Sequence, residues 1–173
     1  MLGPRIDPGV PVFGLGRYAG ARRRAIVGLK EHGRRDMVAP LARALAIGIH
    51  RLFGWGVLDG QVTLVPAPTR PAAARARGGD PVLRVAVAAT AQAANLTVAA
   101  VLRSTAGARD SVGLSAAQRE ANIAGRVRLS AAPRGAVLLV DDVVTTGATA
   151  AESVRTLESG GVPVIAVLSL AWA

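Results

Sequence analysis

The chain has 173 residues, 51% of them apolar, and no cysteine. That length predicts one domain whose core needs neither a disulfide nor a metal staple, and the lack of cysteine excludes disulfides and cysteine-ligated zinc. The formal net charge is +10, nearly all of it arginine because Lys30 is the only lysine; this favours phosphates, nucleotides or nucleic acid as partners. An Ala-, Arg- and Gly-rich composition from a GC-rich genome would produce the same charge without any partner. Aromatics are 3% of residues, so base-stacking platforms for single strands are not expected. The opening MLGPRIDPGVPVFG has no charged head followed by an apolar signal core, and no apolar run reads as long enough to cross a bilayer. A soluble, cytoplasmic protein is the expectation.

In chain order, residues 1–17 read as an irregular, Pro- and Gly-rich lead-in. VFGLGRYAG reads as a short strand or hairpin. ARRRAIVGLKEHG follows as a helix carrying Ile26, Val27, Leu29 and Lys30 and ending near Gly33. DMVAPLARALAIGIHRLF offers Asp36 as N-cap and Leu41, Leu45, Ile49 and Leu52 at helical spacing. QVTLVPAP predicts a strand over residues 62–65, broken by Pro66 and Pro68. TRPAAARARGGD is a basic loop. PVLRVAVAATAQAAN predicts a helix with Asp80 as cap and Pro81 in its first turn.

LTVAAVLR predicts another short strand, STAGARDSVGL a polar loop, and SAAQREAN a short helix capped by Ser115. VRLSAAPRG reads as a connection and AVLLVDD as a strand. TGATAAESVRTLESGG predicts a helix closed by Gly160 and Gly161, and PVIAVLSLAWA a final strand. Strands alternating with helices, the strands apolar on both faces, predict an α/β protein with a mostly parallel sheet flanked by helices. Nothing divides the chain, so residues 1–173 are expected to form a single domain.

Chemistry concentrates in VLLVDDVVTTGAT. In a parallel sheet, ligands bind beyond the carboxyl ends of the strands, where Asp141 and Asp142 follow five apolar residues. The turn from Thr145 to Thr149 then opens a helix whose amides and dipole favour an anion. Gly147 allows close approach of backbone to a ligand, and Thr145, Thr146 and Thr149 add hydroxyls. Carboxylates beside a phosphate cradle would repel the phosphate, unless they hold vicinal hydroxyls of a ribose or sit near a hydrated Mg²⁺. A ribose 5-phosphate carrying a further charged group satisfies both halves. A lone Asp before such a turn would only cap the helix; two, followed by T-T-G-x-T, are harder to explain that way. Neither a Walker A loop nor G-x-G-x-x-G is present.

These residues carry a resemblance. VLLVDDVVTTGAT resembles the phosphoribosyl pyrophosphate (PRPP) motif of type I phosphoribosyltransferases. From about Tyr18 to the end, the chain resembles the ComF family of competence-associated, phosphoribosyltransferase-like proteins. YAGARRRAIVGLKEHG, LVPAPTRPAAARARGGD and GLSAAQREANIAG are similar to that family's other motifs, in the same order. The resemblance implies a type I phosphoribosyltransferase-like fold with a small hood that begins in the lead-in. It implies that Asp141 and Asp142 bind the ribose hydroxyls and, with pyrophosphate, Mg²⁺. It implies that Thr145, Thr146, Gly147, Ala148 and Thr149 hold the 5′-phosphate. Pro66, Ala67 and Pro68 would face pyrophosphate, with Arg70, Arg75 or Arg77 supplying charge. Arg119 and Asn122, three apart on one helix face, would act catalytically from a mobile flap over residues 111–122. Lys30 is either a site cation or a charge favouring its helix dipole.

Three departures from the family pattern stand out. The N-terminal four-cysteine zinc module of many members is missing. Gly79 and Asp80 stand where an aromatic and an Asn usually follow the Arg-Gly. Thr145 stands where some purine-salvage relatives have a carboxylate, which weakens a purine-salvage reading. The resemblance leaves three functions to separate: a Mg²⁺-dependent phosphoribosyltransferase with an unidentified nitrogen acceptor, a PRPP- or nucleotide-binding accessory protein in DNA uptake or regulation, and a DNA-associated protein using an Arg-rich face. No general base is evident, since His32 and His50 lie in no motif. Homodimers are common among such folds, though no feature of this sequence requires one.

Overall fold

The structure is a computed structural model that describes residues 1–69, 74, 78–105 and 125–173. Five parallel strands form the main sheet in the order β1-β7-β6-β2-β3: β1 (Val12–Gly14), β7 (Val164–Trp172), β6 (Ala136–Val144), β2 (Val62–Pro66) and β3 (Leu96–Val98). The helices are α1 (Gly20–Glu31), α2 (Val38–Gly54), α3 (Pro81–Thr90) and α4 (Ala148–Ser159). A separate antiparallel ribbon pairs β4 (Leu102–Ser104) with β5 (Val127–Leu129). The fold class expected from the strand–helix alternation is therefore observed, as an α/β protein with helices on both faces of a parallel sheet.

The central strand decides the layering. Side chains alternate between the faces of a strand. Leu138 and Val140 on β6 pack with Leu45 and Ile49 of α2, Ile26 of α1 and Val85 of α3. Val137 and Leu139 pack with Val154 and Leu157 of α4 and with Leu102 and Val127 of the ribbon. All four of these β6 residues are 0% exposed. Pairing on both edges and packing on both faces explain why the strand is an unbroken apolar run.

Connectivity places the candidate site. From β2 the chain leaves through α3 to β3 on one side; from β6 it leaves through α4 to β7 on the other. The connections diverge between β2 and β6, and a crevice at the carboxyl ends of two such strands is where open α/β sheets bind ligands.

Several local expectations change. Asp36 does not cap α2: it lies in a 3-10 turn (Arg35–Met37), pairs with Arg34, and the helix begins after Met37 without a side-chain cap. LTVAAVLR is not one strand. Residues 99–101 leave the main sheet, so Leu96–Val98 ends that sheet and Leu102–Ser104 enters the ribbon. VRLSAAPRG contains β5, which the sequence reads as connection because three residues show too little periodicity. β6 continues past its acids to Val144 because β7 still pairs with it there. The lead-in is not wholly irregular, since β1 joins the sheet edge beside β7. The helical stretch Arg35–Gly54, 20 residues at mean hydropathy 1.2, is long and apolar enough to span a bilayer by length and composition. Here its Leu41, Leu45, Ile49 and Leu52 face the sheet, while Arg43, His50 and Arg51 are exposed.

Asp80 caps α3 as expected: its Oδ1 accepts from the amides of Val82 (2.8 Å) and Leu83 (3.0 Å), with Pro81 in the first turn. Asp80→Ala should cost about 1 kcal/mol, seen as a lower urea midpoint with unchanged slope. Asp80→Ser should recover most of it.

Candidate functional site

The site begins at the carboxyl ends of β2 and β6. Pro66 is in register with Val140, and the amide of Ala67 donates to the carbonyl of Val140 at 2.7 Å. Pro66, Ala67 and Pro68 therefore run directly beside Asp141 and Asp142. Proline is tolerated here because the strand ends and its missing donor breaks no later rung. Pro66 itself belongs to β2, one residue beyond the expected break.

The aspartates do not form a side-by-side pair. As neighbours on a strand they project to opposite faces. Asp142 lies on the α1 side, where its Oδ2 is 2.6 Å from Lys30 Nζ. It shares a shallow depression there with Ile26, Leu29, Leu41, Pro81, Val82 and Leu170. Lys30, which the sequence leaves between two roles, is thus a cation of the site. Asp141 is buried at 8% exposure, and its Oδ1 accepts from the amide of Asp142 at 2.8 Å. The Val143 amide donates in turn to Asp142 Oδ1 at 2.6 Å.

Burial pushes the Asp141 carboxyl up to about 7, and the charge of Asp142 adds to the rise; the donating amide of Asp142 and the charge of Lys30 pull the other way. The folded chain therefore holds this proton more tightly than the unfolded chain.

The turn after β6 exposes Thr145 and buries Thr146, Gly147 and Ala148, with Thr149 half-buried. Gly147 is the N-cap of α4 at φ 90°, a left-handed conformation that side chains disfavour. The Thr146 hydroxyl lies 3.4 Å from the amide of Ala148, which donates to it, so this hydroxyl is directed at its own turn. The close approach that Gly147 permits is made by the chain itself: a Cβ there would meet the carbonyl oxygen of Ile6 and come within 2.8 Å of Pro4 Cβ.

Of the expected site residues, the fold brings together Asp141, Asp142, Pro66, Ala67, Pro68 and the turn from Thr145 to Thr149. Arg70, Arg75, Arg77, Arg119, Asn122 and the flap over residues 111–122 lie outside the described residues, as does the helix expected to start at Ser115. Among the described residues no three His, Cys, Asp or Glu side chains converge. Asp142 Oδ2 is engaged by Lys30 and Asp141 Oδ1 accepts the amide of Asp142, so both acids have partners within the chain.

Sequence reasoning missed two contacts. Glu152 on α4 accepts from the amide of Gly125 (2.8 Å) and pairs with Arg155. The segment before β1 crosses the turn at Gly147. An acid three residues before an Arg was the only signal for the first, and nothing marked the second.

No family model matches the chain, and no curated protein matches it.

Because the proton on Asp141 is held more tightly when folded, its contribution to stability is fully present below about pH 4 and lost as pH rises through about 7. Asp141→Asn should remove that component. Its stability relative to the parent should be greater at pH 8 than at pH 5, by on the order of 2 kcal/mol, in urea titrations at the two pH values. An equal difference at both would show that Asp141 titrates normally.

Proposed function

We propose that the chain binds PRPP and transfers its 5-phosphoribosyl group to a nitrogen acceptor, as a type I phosphoribosyltransferase-like protein of the ComF kind. One observation carries the reading. At the sheet's switch point, two acids at the end of a central parallel strand lead within a few residues into a turn that opens a 12-residue helix. That order of groups matches a ribose 5-phosphate, with hydroxyls on the carboxylates and phosphate at the helix N-terminus.

In this reading Asp141 and Asp142 accept hydrogen bonds from the ribose hydroxyls. Lys30 keeps the second acid from repelling the anionic ligand. The amides at Gly147 and Thr149, with the Thr145 hydroxyl, take the 5′-phosphate, and the Ala148 amide joins them by exchanging its long contact with the Thr146 hydroxyl for the ligand. The loop at Pro66–Pro68 lies where pyrophosphate would leave. Mg²⁺ comes with the pyrophosphate as part of the substrate. Displacement of pyrophosphate passes through an oxocarbenium-like state, so the chain's contribution is to position the sugar and hold its hydroxyls. Arg119 and Asn122 are proposed to close over the reacting centre.

Calorimetric titration of Mg²⁺–PRPP into the wild type and into Asp141→Asn/Asp142→Asn tests the reading, with ribose 5-phosphate as comparison. The double variant is less negative, so plain electrostatics would make it bind an anion more tightly. Tenfold or greater loss in the variant would therefore report specific hydroxyl contacts. No binding by folded wild type would overturn the proposal. Release of pyrophosphate with a nucleobase or amine panel separates transfer from binding alone.

A second reading, contact with nucleic acid, is favoured by the ribbon. Arg103 and Arg128 are exposed and directly opposite each other on β4 and β5. Like charges so placed destabilise a ribbon, and neither forms an ion pair among the described residues. Phosphates between them would relieve the repulsion. Arg103→Ala/Arg128→Ala should then weaken DNA binding and flatten its salt dependence by about two counterions. An unchanged slope would remove this reading.

A further inference from the structure

The segment before β1 is tied down on both sides of the turn it crosses. The Leu2 amide donates to the Val12 carbonyl at 2.7 Å, forming an antiparallel bridge at the sheet edge. Farther on, Pro8 is buried and Val10 packs against the core, while Asp7 Oδ1 accepts from the Gly9 amide at 2.9 Å in a local turn. Between these anchors, the Ile6 amide donates to the carbonyl of Thr146 at 2.9 Å. Pro4 and the Ile6 carbonyl fill the space that a side chain at Gly147 would need.

The direction of the Ile6 bond matters. A trans peptide is planar, with its C=O and N–H pointing opposite ways. The carbonyl of Thr146 points at the strap, so the N–H of Gly147, on the same peptide, points away from it. The strap uses an acceptor of the turn and leaves that donor for the other side.

We propose that residues 2–8 are a built-in strap that positions the phosphate turn, with Ile6 as a positioning residue acting through its backbone amide. By holding the Thr146–Gly147 peptide in one orientation, the strap aims the Gly147 N–H at the 5′-phosphate before ligand arrives. Preorganised donors bind anions better because no reorientation is needed on binding. The inference rests on the reading of that turn as the phosphate site. It also explains why position 147 is glycine: the residue must take a left-handed φ and admit the strap at once.

Ile6→Pro removes the amide donor and keeps an apolar side chain; Ile6→Val keeps the donor. Isothermal titrations with ribose 5-phosphate and with Mg²⁺–pyrophosphate, alongside thermal unfolding, make the test. We expect Ile6→Pro to bind ribose 5-phosphate roughly tenfold more weakly, the worth of about one hydrogen bond. Pyrophosphate binding should be unchanged, and Ile6→Val should behave as wild type. Amide exchange at Gly147 and Ala148 should quicken in Ile6→Pro. Pro4→Gly, which loosens the strap without removing a donor, should shift both readouts the same way and serves if Ile6→Pro does not fold. Equal ribose 5-phosphate affinity in the variants and the wild type overturns the strap alone. Tighter binding by the variants also overturns it, since the segment would then be a cover. Wild type that binds pyrophosphate or PRPP but not ribose 5-phosphate overturns the phosphate role of the turn and the strap with it. Wild type that binds none of the three overturns the PRPP reading itself.

Discussion

Burial of β6 on both faces and both edges sets the terms for the rest of the molecule. Its residues 137–140 are wholly inaccessible, with α2 and α3 covering one face of the sheet and α4 and the ribbon the other. A strand so enclosed can end in charged groups only where the enclosure opens. Here that is the carboxyl end, where the connections from β2 and β6 part to opposite sides. The acids are placed by the same packing that makes the strand apolar. Asp141 could not move one residue earlier, to the wholly buried position of Val140, without entering an apolar layer that has no partner for it.

The cost of this arrangement falls on Asp141. A carboxyl group with little access to water favours its neutral form, and a second acid beside it strengthens the preference. Lys30 reduces the conflict from the far end of α1, joining a helix of the outer layer to the end of the central strand. Groups that oppose folding in this way are often found where a site needs them for something else. The expected pair of aspartates thus becomes two groups of different character. Asp142 is ion-paired and reaches the crevice on the α1 side; Asp141 is buried and proton-retaining.

The far side of the crevice is built from a turn that is held from behind. α4 presents the positive end of its dipole there, and the Ile6 contact determines how the first peptide of the turn is oriented. Glu152, one turn farther along, receives the amide of Gly125 and so fixes where the chain returns toward β5. Strap, turn and helix form one unit beside the carboxyl ends of the central strands.

Much of this was legible in residue order alone. The apolar run into Asp141 and Asp142, the Thr/Gly turn, the helix ending at Gly160 and the Asp80–Pro81 helix start depend on contacts within a few residues. Strand and helix periodicity and cap chemistry report such contacts directly. The parallel sheet followed from the alternation of elements, and the place of the candidate site was inferred from the sheet. Asp36 misled because a nearby arginine competed for it and a tight turn intervened before the helix. The β4–β5 ribbon escaped notice because three-residue strands carry almost no pattern. What tertiary structure alone decided were meetings between residues far apart in the chain: Lys30 with Asp142, Ile6 with Thr146, Pro66 with Val140. Local sequence encodes which backbone shapes are cheap. Which distant groups share a crevice depends on strand order, and strand order is set by how the whole core packs.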